Sequence, residues 1–466
     1  MKVSNGLVML LCLVTVLAFA GLVPLGTWQD DFLYLHNYHQ QGLGFLADRL
    51  LHWSPRPLSE TLIYFYAIAV YHFGLPLIGV FTGMFWLILI AAIVLPTWLG
   101  KRGKLLSIVM LAMLLLGHPV TEFFYWPDGV AAYLPTLAAA AILLTLDWGG
   151  WSETRAGFFW NFVALTVAAA SFEVGAIFTL VYAALLAITR SIGSWQRGAL
   201  LAMPALLSLF LLYLQFVGRV SQGSEVIGDA AIAHHLLASM IATVEKIPFE
   251  LLKGDTLRHK YTGLAEGLLI KSLFFVGLYF AMSARPHSPS KRLQRMRLVL
   301  AIALIGTAFV TIMAAFYNFG ELCCERHDTL RQNYLLIALA SIATWLAAYR
   351  PSRHYKFAMP VLSLALLIPM LVVSPRLMAE YRDYATIVNA RNFTWQSGRA
   401  VGPDMKIIQT TPNLTGNLYI TPGIYQRSAD PKTDARPQWM LIFFDKQSAE
   451  FTSPVNAPSS ANSDKR

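Results

Sequence analysis

The sequence predicts an all-α polytopic membrane protein. Only 13% of its 466 residues are charged and 56% are hydrophobic, whereas a soluble domain of this length carries roughly twice that charged fraction. Mean hydropathy is +0.53. Apolar runs long enough for a bilayer, about 20 residues, recur along most of the chain.

Eleven spans are expected, at 6–26, 76–99, 105–119, 129–146, 157–171, 173–189, 198–217, 266–284, 298–317, 333–349 and 357–374. Together they make residues 1–374 a transmembrane domain. The short loops separate by charge. Lys101, Arg102 and Lys104 share a side with Arg155, Arg190 and Arg197. Also on that side are Arg285, Lys291, Arg292, Arg295 and Arg297, then Arg350, Arg353 and Lys356. With Lys2 they are all cytoplasmic, as the positive-inside rule requires. That topology places the C-terminus outside. It also accounts for the net charge of +10 without a nucleic-acid partner. The first span is expected as an uncleaved helix. Ala18-Phe19-Ala20 also fits a signal-peptide cleavage pattern, but the apolar run continues through Leu25. The three cysteines define no disulfide framework, because Cys323 and Cys324 are adjacent and Cys12 lies in the first span.

The larger loops fall outside. In 27–75, Phe45, Leu46, Leu50 and Trp53 share one helix face, with Asp48, Arg49 and His52 on another. Leu58, Leu62, Phe65 and Ala69 repeat the pattern after "SPRPLSE". Two helices lying in the membrane interface are predicted, broken at Pro55 and Pro57. Further outer loops cover 218–265 and 318–332. Residues 375–452 read as a small α/β appendage, helical in "RLMAEYRDYATIVNARN" and strand-like in "NLYITPGIY" and "WMLIFFD". Residues 453–466 have the composition of a disordered tail.

The polar residues of the outer side are the functional candidates. Asp30 and Asp31 follow the first span. One suffices to cap the helix that "DFLYLHNYHQQ" predicts. The other is then free to act as a general base on an acceptor hydroxyl or to hold a divalent cation, Mg or Mn. In "GHPVTEFFYWPDGVAAYLP", Glu122 and Asp128 stand among aromatic residues that include Trp126 and Tyr133. This is either an interfacial aromatic belt or a sugar-binding surface, where ring faces meet pyranose C–H groups and acids accept from hydroxyls. Glu173, in an apparent turn between two short spans, is either solvated or facing a polar cavity or partner. The stretch "YNFGELCCERHDTLRQ" carries Arg326, His327, Asp328 and Arg331, and Arg56, Arg258, His259 and Lys260 are further outer cations. Outer arginines suit phosphate groups, whose oxygens the guanidinium fork binds two at a time. Lipid headgroup contact is the plainer alternative. No phosphate-binding loop, dinucleotide fingerprint, zinc spacing or nucleophile elbow occurs.

Asp30-Asp31, "SPRPLSE", "FFYWPDGVAAYLP", "SFEVG" and the Arg326 loop together resemble the GT-C superfamily of integral-membrane glycosyltransferases. The likeness is to the bacterial branch related to O-antigen glucosyltransferases, and it covers the chain in layout. It implies transfer of a sugar from a polyprenyl-phosphate donor to a glycan, lipid or protein acceptor on the outer face of a bacterial inner membrane. It also implies a base or metal-ligand role for Asp30 or Asp31 and phosphate contacts from outer arginines. Arg56, Glu122, Trp126, Asp128, Tyr133, Glu173, Arg326, His327 and Arg331 are the expected substrate contacts. The rival expectations are a polysaccharide polymerase or ligase, which relies on outer arginines and a histidine, and a lipid-linked sugar transporter without chemistry.

Overall fold

The structure, a computed structural model, describes residues 2–26, 31–100, 103–118, 121–192, 194–222, 229, 231–254, 260–284, 290–322, 325–409, 420–428 and 435–452. Asp30, Arg258, His259, Cys323, Cys324 and the expected tail lie outside the described residues. The chain is mostly helical, as an all-α membrane protein should be.

The helices run in chain order α1 (Lys2–Ala20), α2 (Asp31–Gln41), α3 (Leu43–Asp48), α4 (Pro57–Phe73), α5 (Pro76–Leu99), α6 (Lys104–Leu116), α7 (Thr121–Phe124), α8 (Pro127–Gly149) and α9 (Arg155–Ser171). They continue as α10 (Glu173–Ile188), α11 (Trp195–Gln222), α12 (Leu236–Leu252), α13 (Lys260–Ser283), α14 (Lys291–Phe319), α15 (Glu325–Tyr349), α16 (Ala358–Arg399) and α17 (Ala435–Phe443). Among the described residues, six segments are long and apolar enough to cross a membrane: Pro76–Leu99, Pro127–Gly149, Trp195–Gly218, Thr262–Ser283, Lys291–Phe319 and Tyr355–Arg399. Shorter apolar helices occupy Asn5–Ala20, Lys104–Leu116 and Glu173–Ile188. Each of the eleven expected segments overlaps a helix.

α8 is the axis of the molecule. Its apolar stretch is 94% buried, against 28% for that of α11, and it packs on α5, α9 and α15. α11 turns Leu206, Phe210, Tyr213 and Phe216 outward, the pattern of a helix facing lipid. Gly129 lets α8 close on α7, and Gly175 lets α10 close on α9. A Cβ at Gly129 would overlap the Glu122 carbonyl oxygen, and one at Gly175 would overlap that of Ala168. At the opposite end of α8, Asp147 receives two hydrogen bonds from Arg297 of α14, at 2.7 and 3.0 Å.

Three details depart from the sequence reading. Arg49, expected on a solvated face, is buried in a π-helical turn (Arg49–Trp53) and paired with Glu60. Residues 326–331, expected in a loop, form the first turns of α15. "WMLIFFD", expected as a strand, belongs largely to α17, since an apolar run of this length suits either structure and here packs one face on α2.

The appendage is a three-stranded sheet of β1 (Asp404–Ile408), β2 (Gly423–Gln426) and β3 (Ser448–Thr452), in order β1-β3-β2. β1 and β3 are parallel, and β2 and β3 are antiparallel. Its helical lead-in is the C-terminal part of α16, which packs on β1. Phe32 of α2 joins the appendage core with Met405, Ile407, Leu441 and Phe451, its ring 5.4 Å from that of Phe443. The residue after Asp31 is therefore an anchor between the helical bundle and the appendage.

Candidate functional site

α2 begins at Asp31. Its side chain is turned inward, leaving the residue 3% exposed, and its Oδ2 accepts from Trp126 Nε1 at 3.1 Å. Trp126 precedes Pro127, which opens α8 and fixes the approach of the indole. On the same ring sits the Arg326 guanidinium, 4.9 Å from a ring centroid. Arg326 NH1 donates to Glu122 Oε2 at 2.9 Å. Three of the sequence signals, the aspartate, the aromatic stretch and the arginine segment, meet on one indole.

A second group adjoins it. Tyr133 lies within 3.3 Å of His327 Nε2 through its hydroxyl and stacks edge-on against Phe172, with centroids 4.6 Å apart. Over Phe172 lies Arg56, at 4.6 Å. Arg56 donates from Nε and NH2 to the two Glu173 oxygens, both at 2.9 Å. "SPRPLSE" and "SFEVG", more than 110 residues apart in sequence, are thus joined by a bidentate pair. Ser59 Oγ reinforces the join by donating to the Ser171 carbonyl at 2.8 Å. Glu173 is a paired residue and not a solvated turn residue.

The electrostatics follow from burial. Burial pulls the Arg56 pKa down, and the Glu173 carboxylate more than restores it, so the net shift is upward. For His327 the compensation, from Asp328, is the smallest effect. Burial, then Arg331, Arg326 and Arg56, hold its pKa well below the ordinary imidazole value. It is a neutral imidazole at pH 7, able to accept a proton only from a strong demand.

Asp128 stands to one side, in electrostatic contact with Tyr38, Arg49 and Tyr66. There, Glu60 accepts from Arg49 Nε at 2.6 Å, Arg49 NH2 at 2.7 Å and Tyr38 OH at 2.9 Å. This buried triad ties α2 to α4, and so fixes Arg56 at the start of α4 relative to Asp31. Arg331 meets the cluster only through its charge on His327. It is buried and pairs with Asp328. Asp328 in turn accepts from Lys253 Nζ at 2.7 Å, and Lys253 also donates to Glu250 at 2.9 Å. Burial tends to raise the Asp328 pKa, but Arg331 and Lys253 outweigh it and lower it.

Of the expected residues, Asp31, Arg56, Glu122, Trp126, Tyr133, Glu173, Arg326 and His327 form one connected cluster. The sequence reading missed Tyr38, Arg49, Glu60, Phe172 and Tyr66. Nothing in the local pattern distinguishes these from interfacial side chains, although Phe172 falls inside "SFEVG".

Among the described residues no three His, Cys, Asp or Glu side chains come together as metal ligands. The carboxylates of the cluster are each engaged by a cation or an indole N–H, so the described donor set does not fit a Mg or Mn cage. No family model matches the chain, and neither do curated proteins or solved structures.

Proposed function

We propose that the chain is a membrane glycosyltransferase that moves a sugar from a polyprenyl-phosphate donor to a cell-envelope glycan, lipid or protein acceptor on the outer face. One observation carries this reading: a buried aspartate shares an indole with an arginine, beside a wall of Tyr133 and Phe172 that carries a second arginine. Acid, cation and aromatic face are the three surfaces a sugar phosphate requires.

In an inverting transfer, the acceptor hydroxyl gives its proton to Asp31, or to Asp30 next to it. The acceptor oxygen bonds to the anomeric carbon as the bond from that carbon to the phosphate oxygen breaks. The lipid phosphate leaves with that electron pair. Arg326 and Arg56 serve the growing phosphate charge by exchanging a carboxylate oxygen for a phosphate oxygen, the electrostatic role that dominates such reactions. An eleven-span topology with the N-terminus inside puts this site where a polyprenyl chain can stay in lipid while its headgroup meets water. The test is incubation of the purified protein with radiolabelled polyprenyl-phosphate hexoses. Release or transfer of labelled hexose is expected, and its absence across the common hexoses would count against the reading.

A polymerase or ligase is the second reading, favoured by the neutral His327 lying among Arg326, Arg331 and Arg56. Activity lost in His327→Gln but retained in Asp31→Asn would select it.

A further inference from the structure

The two arginines just assigned to phosphate are already neutralised, Arg56 by Glu173 and Arg326 by Glu122. A third guanidinium, linked to Asp31 through Tyr66, has no ion pair among the described residues. Arg391 lies on the outer part of α16 and donates from NH2 to the Pro24 carbonyl at 3.1 Å. Its Nε and NH1 are buried, and neither has a hydrogen-bond partner among the described residues. NH1 lies beside Gly26, 3.7 Å from where a Cβ would stand, in the segment that leads into Asp31. The Tyr66 hydroxyl is buried and unpartnered in the same way. Its ring is fixed by stacking on Phe81, with centroids 4.5 Å apart. Tyr66 interacts electrostatically with both Asp31 and Arg391, and Arg391 with Tyr66 and Tyr384.

Buried donors without acceptors are unfavourable unless something supplies the acceptors. Here the orphans are the guanidinium Nε and NH1, which face different edges, and one phenol; each can donate, and the guanidinium carries a positive charge. The NH1 and phenol donors can each meet an oxygen of one tetrahedral anion. We infer that Arg391 and Tyr66 form an oxyanion site, with Tyr66 between Arg391 and Asp31, that takes a phosphate group. The inference rests on the sugar-transfer reading for its biological sense, since the phosphate would then be that of the donor lipid. Its chemistry stands on the orphaned donors alone.

The experiment measures ligand-dependent thermal stabilisation of the purified full-length protein in detergent, with farnesyl phosphate, inorganic phosphate and farnesol as probes. Wild type should bind farnesyl phosphate more tightly than farnesol. Arg391→Gln should weaken farnesyl phosphate by about tenfold to a hundredfold and leave farnesol unchanged. Tyr66→Phe should weaken it less. Arg382→Gln, at an exposed arginine paired with Asp383, should change nothing. If Arg391→Gln does not fold, Arg391→Lys decides: it keeps the charge but loses the separate guanidinium donors, and a several-fold weakening is expected. Inorganic phosphate competing as well as farnesyl phosphate would assign the site to a free anion, and failure to compete would assign it to a lipid headgroup. The inference is overturned if wild type does not distinguish phosphate from alcohol, or if the Arg391 variant binds farnesyl phosphate as wild type does. Unaltered binding in Arg391→Gln alongside lost sugar transfer in Asp31→Asn would reject this site and keep the transfer reading. Binding as expected with no sugar transfer would do the reverse.

Discussion

Glu60→Gln tests how the site is held. Glu60 and Arg49 exchange two hydrogen bonds, with side chains 2% and 9% exposed, and Tyr38 donates a third at 2.9 Å. Glutamine keeps an acceptor for Tyr38 but removes the charge, stranding a buried guanidinium. Breaking a buried pair from one side costs about 3–5 kcal/mol, whereas removing both charges is often close to neutral. Denaturant unfolding in detergent should therefore show a loss in that range for Glu60→Gln. Adding Arg49→Met should recover more than half of it. Since the triad joins α2 to α4, the single variant should also impair whatever activity depends on Arg56 and Asp31 being in register. A loss below about 1 kcal/mol would mean that the pair is solvated and that something else fixes α4.

Trp126→Phe keeps an aromatic face for Arg326 but removes the N–H that Asp31 accepts. It should cost about 1.5–3 kcal/mol, the worth of a hydrogen bond to a charged group, read from the same unfolding curves. His327 gives a pH signature. Its pKa is depressed from 6.5, so below that pH the unfolded chain binds a proton that the native site refuses. Stability is then fully present above pH 6.5 and falls as pH drops, by up to about 1.4 kcal/mol per pH unit from this one group. His327→Gln should flatten the slope between pH 6.5 and 5 by one proton, and an unchanged slope would refute a neutral buried imidazole.

Much of this arrangement was legible in the sequence, because helices in an apolar solvent are written as long apolar runs. Asp31, "SPRPLSE", "FFYWPDG", "SFEVG" and Arg326 stood out as polar residues at the ends of such runs, and they meet in space. What was not legible depended on partners distant in the fold. Arg49 looked solvated because its polarity matched Asp48 and His52, while its partner Glu60 lies on the next helix. Arg326 and Arg331 looked alike as loop cations. Once α15 begins at Glu325, five helical residues turn them about 140° apart, toward Trp126 and Asp328 respectively. Arg391 sits in a polar stretch whose pattern says only that it is helical, and its orphaned donors exist only because α16 runs on past the last expected span to pack on Pro24.

The most direct test of the account is the transfer of labelled hexose from a polyprenyl-phosphate donor by Asp31→Asn beside wild type. The asparagine oxygen can still accept from Trp126, so the fold should survive, and transfer should fall by about a hundredfold to ten-thousandfold, the range of a lost general base. A folded variant that transfers sugar at the wild-type rate would contradict it.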